Sequence, residues 1–75
     1  MACPNVRAGA KILGSATISV ADAQARLSAS RASLVKNLNG CLNYWSASGR
    51  YWIQVWGVGN NRVVYRIVNS GTCPC

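Results

Sequence analysis

The chain has 75 residues, of which eight are Lys or Arg and one, Asp22, is acidic; there is no histidine, and the formal net charge is +7. This set excludes paired-carboxylate chemistry, Ser-His-Asp or Cys-His catalysis and carboxylate cages for calcium or magnesium within one chain. The expectation is a protein that is not an enzyme and holds no cofactor. A hydrophobic content of 51% makes the chain globular. At this length it is a single small domain with a marginal core, which crosslinks or neighbouring subunits would support.

The opening MACPNVRAGA, with Pro4 and Gly9, reads as an extended arm over about residues 1–10. Arg7 and Lys11 precede ILGSATISVA, and Ala23-Gln24-Ala25 has the small-x-small form of a cleavage site. Gly14, Ser15, Thr17 and Ser19 dilute the apolar region, which argues against secretion and for a cytoplasmically synthesised protein. No apolar stretch approaches the ~18–20 residues of a membrane span. KILGSATIS reads as an extra N-terminal strand, weakened by Gly14.

Ser19-Val20-Ala21-Asp22 fits a capping box, with the serine hydroxyl accepting from the Asp22 N–H. Asp22 also sits at the positive end of the helix dipole and four residues before Arg26, so its role is structural. Val20, Ala23, Leu27, Leu34 and Leu38 share one arc at 100° per residue, which predicts an amphipathic helix over about 20–38. Asn39-Gly40 would end it. Arg26, Arg31 and Lys36 are spread around that cylinder and make no single basic face, unlike a recognition helix.

From Cys41 the period becomes two. Strands are expected at about 41–45, 50–58 and 62–68, joined by SASG and GNN into an antiparallel meander beneath the helix, an α+β fold. Taking SASG as the turn places Trp45 opposite Arg50. Taking Gly59-Asn60-Asn61 as a three-residue loop places Val58 opposite Arg62. One face then carries Leu42, Tyr44, Tyr51, Ile53, Val55, Val63, Tyr65 and Ile67. The other carries Cys41, Asn43, Trp45, Arg50, Trp52, Gln54, Trp56, Arg62 and Arg66. A two-residue Asn60-Asn61 turn would instead drive Arg62 and Arg66 into the apolar face, at a cost of several kcal/mol.

Cys3, Cys41, Cys73 and Cys75 allow three pairings. A bond within the C-terminal Cys-Pro-Cys tail would close a very small ring. A link from Cys3 to that tail would tie the two ends together and leave Cys41 the remaining thiol. The count suits a four-thiolate zinc site, but no C-x-x-C is present, so no metal is expected. In a cytosol, reduced thiols packed as small hydrophobes are the simplest state.

Trp45, Arg50, Trp52, Gln54, Trp56, Arg62 and Arg66 form the candidate binding surface. Tryptophan and arginine dominate interface hot spots. The first reading is therefore a homo-oligomer or a subunit of a larger protein assembly; by composition it suits a virion coat, cement or decoration protein. The second is a single-stranded nucleic-acid platform, with bases on Trp and phosphates on Arg. A third, cationic membrane activity, requires secretion, and the N-terminal pattern argues against it.

Overall fold

The computed structural model describes Cys3, Val6 and residues 8–75. The elements are β1 (Lys11–Ser19), α1 (Val20–Ala29), β2 (Ser33–Leu38), β3 (Cys41–Trp45), β4 (Trp52–Gly59) and β5 (Arg62–Asn69). They make an α+β fold: one five-stranded antiparallel sheet in the order β1-β5-β4-β3-β2, with the helix on one face. The expected three-strand meander is its centre, and KILGSATIS joins as an edge strand beside β5.

The helix is ten residues long, about half the expected span. Its start is as anticipated: Ser19 Oγ accepts the Asp22 N–H at 3.1 Å. Its end is a Schellman motif without glycine. Arg31 adopts a left-handed φ of 50°, its N–H donates to Ser28 O, and the Ala32 N–H donates to Leu27 O, both at 3.0 Å. Leu34 and Leu38 therefore lie on β2, where they continued the helical arc only by coincidence of spacing. Asn39 (φ 53°) and Gly40 (φ 93°) form the tight turn of the β2–β3 hairpin, not a helix stop. Asn-Gly suits a two-residue turn because both positions need positive φ.

Two registers differ from expectation without exchanging the faces. The β3–β4 loop is residues 47–50, one position later than SASG, because Ser46 and Tyr51 still pair: the Ser46 N–H donates to Tyr51 O at 3.2 Å. Gly49, at φ 70°, lies inside that loop. Trp45 consequently faces Trp52, not Arg50. The slip is two residues, and a two-residue slip preserves side-chain parity. Between β4 and β5 the turn is the two-residue Asn60-Asn61, at φ 55° and 59°. A bulge at Val58 then restores the register of the three-residue loop, with Trp56 opposite Val64 and Val55 opposite Tyr65.

The core lies between helix and sheet. Ile18, Ala23, Ile53, Val55 and Tyr65 are buried there, with Leu27, Ala32, Leu42, Tyr44, Tyr51, Val63 and Ile67 packed around them. The helix packs on β1 and β5 and is too short to reach β2. The helix start is tied to the β4–β5 turn by the Val20 N–H, which donates to Asn61 O at 3.0 Å. The Tyr51 hydroxyl and Ser30 Oγ bond at 3.1 Å near the helix end. Among the described residues no helix is long and apolar enough to cross a membrane.

All four cysteines are paired, as Cys3–Cys41 and Cys73–Cys75. Neither the reduced state nor a link from Cys3 to the tail is found. Cys41 heads β3 on the face away from the helix, so its bond fastens Cys3 to that face. Half of the expected arm, Met1, Ala2, Pro4, Asn5 and Arg7, lies outside the described residues.

Candidate functional site

Alternation along β3, β4 and β5 brings Asn43, Gln54 and Arg66 side by side on the face opposite the helix, in directly opposed pairs. They form a hydrogen-bonded row across three strands. Arg66 donates from Nε and Nη2 to Gln54 Oε1, the first at 2.8 Å. Gln54 Nε2 donates to Asn43 Oδ1 at 2.9 Å, and Asn43 Nδ2 donates to Cys41 O at 3.1 Å. A guanidinium can only donate, so Gln54 must turn its oxygen toward Arg66. That choice fixes the orientation of both amides down to the disulfide.

This row is interior, not surface. Asn43 and Gln54 are fully buried, and Arg66 and Trp52 are 7% and 8% exposed. Large neighbours enclose it. The Arg66 guanidinium stacks over Trp56 at 4.8 Å, and Trp45 and Trp52 meet at 4.7 Å with rings tilted by 45°. Cys3, bonded to Cys41, is buried on the same face, and Pro74 of the tail is also buried. Burial pushes the Arg66 guanidinium below its ordinary pKa, because a charge removed from water is disfavoured. The Trp52 indole N–H is buried and has no hydrogen-bond acceptor among the described residues.

Of the seven candidate residues, Trp52, Gln54 and Arg66 are thus enclosed, Trp45 and Trp56 are partly exposed, and Arg50 and Arg62 are exposed. Arg50 lies in the β3–β4 loop near Trp45, whereas Arg62 opens β5 at the other end of the sheet. Trp45 is level with Trp52, four residues from Trp56, which separates the two exposed indoles by roughly 13 Å of strand. The face presents two accessible ends around a sealed middle. The sequence identified the residues sharing the face but carried no sign that its middle is buried, with Cys3 bonded to Cys41 there.

Exposed apolar surface lies elsewhere, on the two edge strands and at the Val58 bulge of β4, and the sequence reading missed it. On β2, Leu34, Val35 and Leu38 are 52%, 55% and 39% exposed, and Ile12 and Leu13 are exposed on β1. Leu34 sits opposite Tyr44 on the helix side, beyond the reach of α1, while Val35 is the bulged residue of its strand. The available signal was SLVKNL itself, six residues with one charge before an Asn-Gly turn.

Little else carries chemistry. Asp22 accepts from Arg26 Nε at 3.4 Å in an exposed i,i+4 pair. A shallow depression at the start of α1, lined by Ser19, Val20, Ala21, Gln24 and Asn61, holds no ionisable side chain. Among the described residues no group of three or more His, Cys, Asp or Glu side chains gathers as a metal site would require. No family model, curated protein or solved structure matches the chain.

Proposed function

We propose that this protein is a non-catalytic assembly subunit, a small basic protein that associates with copies of itself within a larger shell. The β2 edge carries the reading. Its six residues leave three apolar side chains and a row of backbone N–H and C=O groups open to addition. The occupant is a second copy. Antiparallel pairing of β2 about a twofold axis sets the same apolar strand on both sides, so no acidic partner is needed. The helix side adds Leu34, Leu42 and Tyr44 to the contact. The exposed ends of the Trp/Arg face remain for further subunits, and a basic, non-catalytic composition suits a virion coat, cement or decoration protein.

Sedimentation velocity over a concentration series tests this. Copies carrying +7 repel one another, so added salt is expected to strengthen self-association. Val35→Lys should shift the species to monomer while leaving the melting temperature unchanged. A monomer at high concentration in both low and high salt would overturn the proposal.

The alternative reading is single-stranded nucleic-acid binding, supported by exposed Lys11, Arg31, Lys36, Arg50 and Arg62 and by the partly exposed Trp45 and Trp56. It predicts the opposite salt dependence, with oligonucleotide quenching of tryptophan fluorescence that weakens steeply as salt rises.

A further inference from the structure

The two disulfides occupy contrasting environments. Cys3–Cys41 spans 38 residues, and both its cysteines are buried. The Cys41 sulfur is held inside the polar row, with Asn43 Nδ2 at 3.6 Å and Gln54 Nε2 at 4.0 Å. Cys73–Cys75 spans two residues, and both its cysteines are partly exposed. It lies beyond Asn69, the last residue of β5, in a segment that belongs to neither helix nor sheet. Opening this bond breaks no strand pairing. Access to the sulfur, and the near collinear approach that exchange requires, decide which disulfide reacts. A bond across so short a loop also removes little chain entropy, so its opening is weakly opposed.

We propose that Cys73–Cys75 is a thiol–disulfide exchange site whose substrate is an external thiol, while Cys3–Cys41 is the inert structural bond. An incoming thiolate attacks one sulfur of the Cys73–Cys75 bond. The S–S bond breaks, its electron pair leaves on the other sulfur, and a mixed disulfide forms with the attacker. A second thiolate, or the second thiol of a dithiol, attacks that mixed disulfide. Two external thiols are oxidised to a disulfide, and Cys73 and Cys75 are reduced to a pair of thiols one residue apart. The opposite sequence, with an external disulfide as oxidant, closes the ring again. No other cysteine of the chain competes, because all four are engaged. The inference is independent of the assembly reading and stands on the placement of the sulfurs alone.

The test uses the intact oxidised protein, with reduced glutathione or dithiothreitol as the thiol and rapid alkylation to trap free cysteines. Peptide mass spectrometry should find Cys73 and Cys75 labelled at least about tenfold faster than Cys3 and Cys41 under native conditions. Tryptophan fluorescence should stay constant during that fast phase. Cys73→Ser/Cys75→Ser should remove the fast phase and leave the slow one. Equal rates for the two bonds, earlier opening of Cys3–Cys41, labelling without added thiol, or a fast phase that survives in the double variant would each overturn the proposal.

Discussion

Gln54 Oε1 accepts from Arg66 twice, through Nε and Nη2 of its directly opposed neighbour on β5. Gln54 Nε2 donates to Asn43 Oδ1, so one neutral side chain supports a buried cation and a buried amide together. Gln54→Leu removes both interactions and should cost ~2–4 kcal/mol by thermal or denaturant unfolding. Adding Arg66→Met removes the buried charge as well and should recover part of that loss. The double-mutant cycle should give a coupling of about 1 kcal/mol or more, and additive effects would mean that the pair does not act as a unit.

The end of α1 gives a prediction of opposite sign. Arg31 holds a left-handed φ of 50° at a position glycine normally fills. Arg31→Gly should stabilise the fold by ~0.5–1 kcal/mol, since a β-carbon is disfavoured there. If the helix instead ran through residue 31 to residue 38, the same change would destabilise it by ~1 kcal/mol. Chemical denaturation distinguishes the two outcomes.

Loss of Cys3–Cys41 should be severe. A loop of this length contributes about 4 kcal/mol by chain entropy, and the Cys41 sulfur of this bond lies against the polar row. Cys3→Ser/Cys41→Ser is expected to lower the denaturation midpoint strongly and to expose Trp52 to acrylamide quenching. Retention of the native midpoint would show that the bond is dispensable.

Alkaline pH should act through Tyr65. Burial raises its pKa above 10.0, followed in effect by neighbouring Tyr51, while Ser30 and Arg26 pull the other way. The folded state therefore keeps the phenolic proton at pH values where the unfolded chain has lost it. The unfolded chain binds fewer protons there, so stability is fully present below the unfolded pKa and falls as pH rises through the folded one. Melting temperature should decline above pH ~10, and Tyr65→Phe should flatten that decline. An identical alkaline slope in the variant would refute the assignment.

The face assignment was legible because strand parity survives a two-residue slip. Tyr44, Ile53, Val55, Tyr65 and Ile67 stay on the helix side although Trp45 pairs with Trp52 and not Arg50. Local signals were weaker where one motif serves two structures. Asn39-Gly40 ends helices and turns hairpins, and Leu27, Leu34 and Leu38 fit a helical arc while two of them lie on a strand. Arg31 gave no stop signal because arginine is not a residue that favours the left-handed φ it adopts at the helix end. Enclosure of Trp52 and Arg66 depends on contacts between segments distant in sequence, which periodicity does not encode.

The strand order also sets a timetable for synthesis. β2, β3, β4 and β5 pair with neighbours across short turns, but β1 pairs only with β5, matching Lys11 to Asn69 and Ser19 to Arg62. A ribosome adding ~5–20 residues per second finishes β5 several seconds after β1 has been made. The first strand translated is therefore seated last, and during that interval Ile12 and Leu13 belong to a nascent chain without a partner for them.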